Sequence, residues 1–390
     1  MINKTIRYCS LTTVSASMRA FVMPAMTCLR QHGYQVTVSC KQDAEFAAGL
    51  PESISYIPLD IDRGFRLGKT IKTIFHLWRV FRKERFDMIE YGTENVSFCA
   101  SIAGWLARVP VRLYNHWGAR YVGYTGFGRT ISWLIEKMAA LFSTDVRQVS
   151  RKNMEQCIHD GVYPAAKVKV LGKGGTVGVD FNKFSISDKS AYRKDVRDRF
   201  HIPEDAFVWG DIGYIRKDKG SDELIKAFRR LAEEDETVWL LLVGDLYADD
   251  LPDAALLQWA QQSPRVIFTG RVGDVERYAA CMDCLVHPSY REGFGMVLQE
   301  AGAMGVPAIT SNIPGPSEFV TDGVTGLLVQ PADDVDLLEK MRWLRQHPQE
   351  REQMAKAVYR DVQTHFERQV MVSRIVQDRD ELCGRNSRDD

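Results

Sequence analysis

The sequence predicts an α/β protein with two doubly wound parallel sheets laid end to end, and three observations carry that prediction. Short apolar runs of strand length alternate with longer stretches of helical periodicity. The alternation starts afresh after the glycine-rich stretch Gly172-Lys173-Gly174-Gly175-Thr176-Val177-Gly178. At 390 residues the chain is too long for one compact core and sufficient for two. With 45% hydrophobic and 26% charged residues, it is neither a disordered chain nor a disulfide-built miniprotein.

In the first series, strands are expected at residues 5–9, 35–39, 88–91, 111–115 and 146–149. Helical stretches lie between them: 20–32, stopped by Gly33; 67–83; 96–107, before Pro110; and 130–142. The second series offers strands at 207–212, 238–243, 266–269, 284–286, 308–310 and 326–329. Residues 349–383 read as closing helices with Phe366 and Val370 among their apolar positions, followed by a polar tail from Gly384. The expected segments are therefore 1–175, 176–365 and 366–390. The opening Met1 to Tyr8 has no apolar h-region, and runs such as Val238 to Val243 fall far short of the ~20 residues that cross a bilayer. The eight cysteines are scattered and mostly set among apolar residues, as reduced thiols in a cytoplasm would be.

A net charge of zero hides two opposite halves. Residues 1–178 hold 24 Lys and Arg against 13 Asp and Glu, and the remainder holds 27 against 38. A basic half attracts polyanions, anionic lipid headgroups or a phosphorylated substrate. Within it, Leu67, Ile71, Ile74, Phe75, Trp78 and Phe81 recur at helical spacing among Arg66, Lys69, Lys72, Arg79, Arg82, Lys83 and Arg85. Such a helix either lies on an anionic membrane or is an ordinary domain helix with a basic solvated face. Residues 120–129 are aromatic, glycine-rich and flanked by Arg, a composition suited to a mobile lip touching lipid or ligand. No nucleic-acid module accompanies the charge, so nucleic acid is not an expected partner.

Ligands of doubly wound sheets bind beyond the carboxyl ends of the strands, so the chemistry is sought in the loops that follow them. The most informative stretch is His287-Pro288-Ser289-Tyr290-Arg291-Glu292-Gly293-Phe294-Gly295-Met296-Val297-Leu298-Gln299-Glu300. Gly293 and Gly295 allow the backbone close to a ligand, and the free amides of the following helix start favour an anion such as a diphosphate. About a turn and a half into the helix, the Glu300 carboxylate is placed to accept two hydrogen bonds from vicinal hydroxyls such as those of a ribose. Glu292 stays in the loop. His116 follows a strand of the first half, as a ligand to substrate or as a hydrogen-bonded loop residue. Cys281 and Cys284 have CxxC spacing without a second pair, which reads as core packing. No His and carboxylate cluster has metal-ligand spacing, and Asp249-Asp250 reads as an acidic surface turn, so metal-independent chemistry without a cofactor is expected. Gly172 to Gly178 lacks the ending of a P-loop and reads as a hinge.

Glu292 and Glu300, with seven residues between them and following Pro288-Ser289-Tyr290-Arg291, resemble the signature of the retaining glycosyltransferases of family 4, which have the GT-B fold. Gly270-Arg271-Val272, Gly315-Pro316-Ser317-Glu318-Phe319-Val320 and Gly323-Val324-Thr325-Gly326-Leu327-Leu328-Val329 extend the likeness, as do Leu29 to Val36 and Arg85 to Ile89 in the first half. The resemblance implies two Rossmann-like domains facing each other across a crevice. The first would bind the acceptor and the second the nucleotide sugar, with a final helix returning to the first. It further implies that Glu300 binds the ribose, that Glu292 and His116 contact the donor sugar, and that the amides of Phe294, Gly295 and Met296, with Arg271 and Val272, line the donor. Lys219 occupies the position of the family's lysine, but Tyr214 stands where an arginine is expected. Arg216 either supplies that charge from two residues on, or the phosphate grip is weaker. The reaction implied is retaining transfer from a nucleotide-diphosphate sugar, UDP-linked before GDP-mannose, to a sugar hydroxyl. The acceptor would be lipid-linked, at the inner face of the plasma membrane, in capsule or lipopolysaccharide synthesis. Ser15 and Ser17 stand where relatives often carry glycines near the donor. Two rivals are a GT-B nucleotide-sugar epimerase and a non-catalytic subunit of an assembly complex.

Overall fold

The computed structural model describes residues 5–62 and 64–385; the first four residues, Arg63 and the end of the polar tail lie outside the described residues. The chain divides into two compact units, one built from the chain up to Val177 and again from Arg368 onward, the other from Gly178–Glu367. The boundary falls within the glycine stretch 172–178.

The sheet of the first unit contains β1 (Ile6–Leu11), β2 (Tyr34–Lys41), β3 (Ser55–Leu59), β4 (Met88–Tyr91), β5 (Val111–His116), β6 (Asp145–Gln148) and β7 (Val168–Val170). Their order is β3-β2-β1-β4-β5-β6-β7, every ladder parallel. The second unit contains β8 (Phe207–Ile212), β9 (Val238–Val243), β10 (Val266–Phe268), β11 (Cys284–His287), β12 (Ala308–Ser311) and β13 (Gly326–Val329), in the parallel order β10-β9-β8-β11-β12-β13. Parallel neighbours need crossovers that place helices on the faces, and a central strand such as Val238–Val243, covered on both sides, is a continuous apolar run. In the second unit the strand order reverses between β8 and β11, and the loops leaving those two strands are thereby brought side by side.

Local chemistry explains where the elements depart from the periodicity. The expected helix over 20–32 is two helices, Ser15–Phe21 and Met23–Gln31, because Pro24 has no N–H to continue the first and suits the opening turn of the second. β3 was not anticipated because it contains Pro58 and lies at the sheet edge, and β7 because it has only three residues. The expected lip at 120–129 is ordered: Arg120–Gly123 forms a 3-10 turn that leads into the helix Gly126–Phe142. Tyr121 anchors it, buried, with its hydroxyl donating to Asp160 Oδ2 at 2.6 Å.

The helix Arg368–Leu382 completes the first unit. Its Val372, Ile375 and Val376 join the cluster of Tyr8, Met26, Leu29 and Val36. A buried charge network fastens it to the sheet. Arg379 Nε donates to Glu90 Oε2 at 2.9 Å and Nη1 to Asp378 Oδ2 at 2.6 Å, while Arg147 Nε donates to Asp378 Oδ1 at 2.9 Å. Glu90 also accepts from the Tyr8 hydroxyl at 2.6 Å and from Asn115 Nδ2 at 2.5 Å.

The helix Leu67–Glu84 buries Thr73, Leu77 and Phe81 and exposes Leu67, Ile71 and Phe75. The helix Gly126–Phe142 exposes Phe127, Ile131, Leu134 and Leu141. Among the described residues, no helix is long and apolar enough to cross a membrane.

Candidate active site

The second unit gathers its polar chemistry at the carboxyl ends of β8 and β11. β8 runs into a 3-10 turn, Lys217–Lys219, and the helix Ser221–Glu234; β11 runs into a loop and the helix Met296–Ala303. The two loops touch through their backbones. Tyr290 N donates to Asp218 O at 2.9 Å, and a Cβ on Gly220, whose φ is +74°, would lie 2.1 Å from the Pro288 carbonyl oxygen. Only glycine fits there. The turn that carries Lys219 is thus set directly against the loop that carries Glu292.

Four charged side chains follow one another at this point. Asp211 and His287 are each 2% exposed. His287 Nδ1 donates to Asp211 Oδ1 at 2.8 Å and Nε2 to Glu292 Oε1 at 2.8 Å, and Lys219 Nζ donates to the same Glu292 oxygen. Burial pulls the imidazole pKa down, but the charges of Asp211 and Glu292 outweigh it and lift it to about 9, so the ring is an imidazolium at neutral pH. For Glu292, burial favours the neutral acid; the Lys219 charge and the hydrogen bond from His287 prevail and hold the carboxyl well below its ordinary value. Two carboxylates and two cations alternate, so the chain of groups is neutral as a whole.

Beside it, the helix Met296–Ala303 starts at Gly295, whose φ of +88° is left-handed and whose missing side chain leaves the first turn without a side-chain cap. The Phe294 ring turns inward, with centroids 5.5 Å from Phe366 and 6.3 Å from Phe319, so only its backbone can face a ligand. Glu300 lies in the second turn of the helix, half-buried. A Cβ on Gly315 would sit 2.5 Å from the Gly293 carbonyl oxygen, so this segment backs the glycine loop. Arg271 follows β10, its N–H donating to Asp245 Oδ1 at 3.0 Å and its side chain exposed; Val272 is half-buried.

The structure engages other candidates elsewhere. Arg216 Nε lies 2.6 Å from Asp218 Oδ1 and 3.1 Å from Asp250 Oδ2, and its guanidinium stacks 4.4 Å over the Tyr247 ring. Asp250, expected as an idle surface acid, therefore braces the Lys217–Lys219 turn. Tyr214 packs edge-on against Tyr247, with centroids 5.2 Å apart. Ser15 Oγ donates to Asp43 Oδ2 at 2.5 Å, and Ser17 is half-buried.

His116 belongs to the first unit, at the end of β5, and is 2% exposed. Its Nε2 donates to Glu136 Oε2 at 3.0 Å, and its Nδ1 lies 3.1 Å from Gln148 Nε2. The Gln148 amide is oriented by Val149 N, which donates to Oε1 at 2.8 Å. Burial works against the imidazolium and the Glu136 charge favours it; the Gln148 amide nitrogen, a donor, takes Nδ1 as its acceptor, which leaves the ring proton on Nε2 toward Glu136. Expected at an open strand end, the ring is instead enclosed, because Glu136 and Gln148 occupy both of its nitrogens. Glu136 Oε1 in turn accepts from Arg120 N at 2.8 Å, which ties His116 to the 3-10 turn.

Sequence reasoning missed Asp211 and the role of His287. Their signals were present: an aspartate in the apolar strand Phe207-Val208-Trp209-Gly210-Asp211-Ile212, and a histidine at the head of the stretch that ends in Glu300. The pairing itself spans 76 residues.

Comparison with known proteins follows the same division. Residues 11–150 match the family described as "Glycosyl transferase 4-like", and residues 193–361 match "Glycosyl transferases group 1". The chain is 29% identical over 362 residues to the "Capsular polysaccharide biosynthesis glycosyltransferase CapM" of Staphylococcus aureus, covering 93% of each chain. It is 23% identical over 316 residues to the "UDP-Gal:alpha-D-GlcNAc-diphosphoundecaprenol alpha-1,3-galactosyltransferase" of Escherichia coli, covering 78% of each. Among solved structures, Anabaena HepE in complex with UDP superposes with a TM-score of 0.76 at 20% identity, over 97% of this chain and 100% of that one. Two doubly wound parallel units of this topology are the GT-B fold. The chain belongs to the family 4 glycosyltransferases.

Proposed function

We propose that this glycosyltransferase moves a hexosyl or N-acetylhexosaminyl group from a UDP-sugar, with retention at the anomeric carbon, to a sugar hydroxyl of a lipid-linked acceptor in surface polysaccharide synthesis. The observation that carries the reading is the convergence of Lys219 and Glu292 beside an uncapped helix start, with Glu300 one turn further along. The helix start and Lys219 suit a diphosphate, whose charge grows as the sugar leaves. Glu300 accepts from the ribose hydroxyls, Glu292 from the donor sugar, and the loop of Arg271 and Val272 flanks the nucleotide. No side chain is assigned as a general base. Arg216, committed to Asp218 and Asp250, serves by holding the turn of Lys219. His116, enclosed by Glu136 and Gln148, serves by positioning residues 117–121. The names of CapM and of the E. coli galactosyltransferase support a polysaccharide product and a diphospholipid-linked acceptor; the UDP-bound neighbour supports the nucleotide.

Thermal melting against UDP, GDP, dTDP and CMP tests the donor site. UDP is expected to raise the midpoint of the wild-type protein and to leave Glu300→Ala unmoved; a rise with another nucleotide, or an equal rise in the variant, would overturn the assignment.

The same proposal places the enzyme on an anionic membrane surface. The exposed stripe Leu67, Ile71, Phe75 stands among Lys72, Arg79 and Arg82, and Phe127 and Ile131 stand beside Arg120 and Arg129. Apolar insertion flanked by basic residues is how peripheral helices bind such surfaces. Vesicles rich in phosphatidylglycerol should sediment the protein at low salt, and Phe127→Glu should release it. Equal recovery with purely zwitterionic vesicles would reject the electrostatic part.

A further inference from the structure

We propose that Asp211 and His287 form a fixed clamp that aims the Glu292 carboxylate, which makes His287 a positioning residue of the transfer reaction; the inference rests on the donor-site reading above. Asp211 and His287 stand on β8 and β11, neighbouring strands at the point where the strand order reverses. Both ring nitrogens of His287 lie 2.8 Å from carboxylate oxygens, Asp211 on one side and Glu292 on the other. A neutral imidazole has one N–H and would turn a bare lone pair toward one of those carboxylates. Only the doubly protonated ring satisfies both. The groups of consequence facing it are Asp211 from β8, Glu292 from its own loop and, beyond Glu292, Lys219 from the turn after β8; β12 contributes the neutral Thr310 hydroxyl, which donates to the His287 carbonyl at 2.8 Å.

The clamp answers a problem set by Lys219. That lysine donates to the same oxygen of Glu292 as His287 does, and it is the cation assigned to the donor diphosphate. When a diphosphate draws Lys219 away, Glu292 loses a positive partner at the moment it must hold the sugar. His287 does not leave, because its other N–H is anchored on a buried aspartate. The Glu292 carboxylate thereby keeps both its charge and its direction through the exchange.

Three measurements on the full-length protein test the clamp. Nitrogen-15 spectra of histidine-labelled protein, with His287→Gln to assign the signal, should show the His287 ring doubly protonated up to about pH 9. In Asp211→Asn the second proton should leave at lower pH, because a negative charge that held it is gone. Calorimetry with UDP should show that His287→Gln loses far less affinity than turnover, and that Asp211→Asn binds at least as tightly as the wild type. Release of UDP from UDP-glucose, UDP-galactose or UDP-N-acetylglucosamine should be roughly 10- to 100-fold slower in His287→Gln, the usual effect of losing a partner that orients a functional group. In Asp211→Asn its alkaline limb should move to lower pH. The proposal is overturned if His287 titrates in the ordinary histidine range, if His287→Gln turns over like wild type, or if UDP affinity falls in step with turnover. A wild-type protein that binds no UDP would instead refute the donor reading, while the nitrogen-15 titration still decides whether the clamp exists.

Discussion

Glu292→Gln is expected to bind UDP at least as tightly as the wild-type protein while its turnover falls by on the order of 10²–10³, the scale of removing one aimed electrostatic contact from an active site. In the native site Glu292 lies between Lys219 and the His287 imidazolium, and Asp211 balances only one of these cations. The amide leaves one positive charge uncompensated where the diphosphate is to sit. At about 4 Å and an effective dielectric near 20, a unit charge pair is worth ~4 kcal/mol before desolvation and screening reduce it. Binding of the anion is therefore maintained or improved. The sugar, in contrast, loses a charged acceptor whose hydrogen bonds strengthen as the ring takes on positive character. Calorimetry with UDP beside single-turnover UDP release separates the two effects. Parallel losses of affinity and turnover would make Glu292 a nucleotide ligand rather than a sugar ligand, and Glu300→Ala supplies the opposite pattern for comparison.

The second large effect is on stability. Arg379→Met should cost about 3–5 kcal/mol, because it removes one partner from a buried ion pair and leaves the other charge without its cation. Glu90 and Arg379 are 6% and 3% exposed. Burial raises the Glu90 carboxyl, but the Arg379 charge and the hydrogen bonds from Arg379, Tyr8 and Asn115 prevail and hold it below its ordinary 4.5. A depressed carboxyl contributes stability that is present above the unfolded-state value and lost as pH falls through the folded one. The variant reverses the sign: burial acts without the guanidinium, the carboxyl rises above 4.5, and stability then increases as the medium is acidified toward that range. Urea unfolding at pH 5 and pH 8 measures both the size of the loss and its slope. A loss below about 1 kcal/mol, or an unchanged slope, would show that the network is not what holds the helix Arg368–Leu382 in place.

The parts of the molecule legible in its sequence are those governed by neighbours along the chain. Val238–Val243 and Gly326–Val329 are apolar runs bounded by turns, and the structure places strands at those very residues. Glu292 and Glu300 were found because their loop and helix form one short stretch. What stayed hidden depends on partners brought in from far away. Nothing near Asp250 in the chain announces Arg216, 34 residues earlier, and nothing near Arg379 announces Glu90, 289 residues earlier. His116 shows the limit most plainly. A histidine at a strand end reads as open to ligand until Glu136, on a helix twenty residues on, takes one of its nitrogens. The enclosure of a side chain is a property of the finished packing.

The return of the helix Arg368–Leu382 to the first unit also bears on how the chain is made. Gly178–Glu367 is a continuous stretch, and a ribosome delivers all of it before the helix emerges. Its own apolar cluster can therefore close as soon as it is out. The first sheet has to wait for Val372, Ile375 and Val376, and for the cation that neutralises Glu90. With about 190 residues intervening, and translation at ~5–20 residues per second, the delay is roughly 10–40 s. The unit that begins first is finished last, and in the interval it presents an uncovered apolar face and a charge without a counterion. During synthesis, that face is where the nascent enzyme is most open to aggregation and most in need of a chaperone.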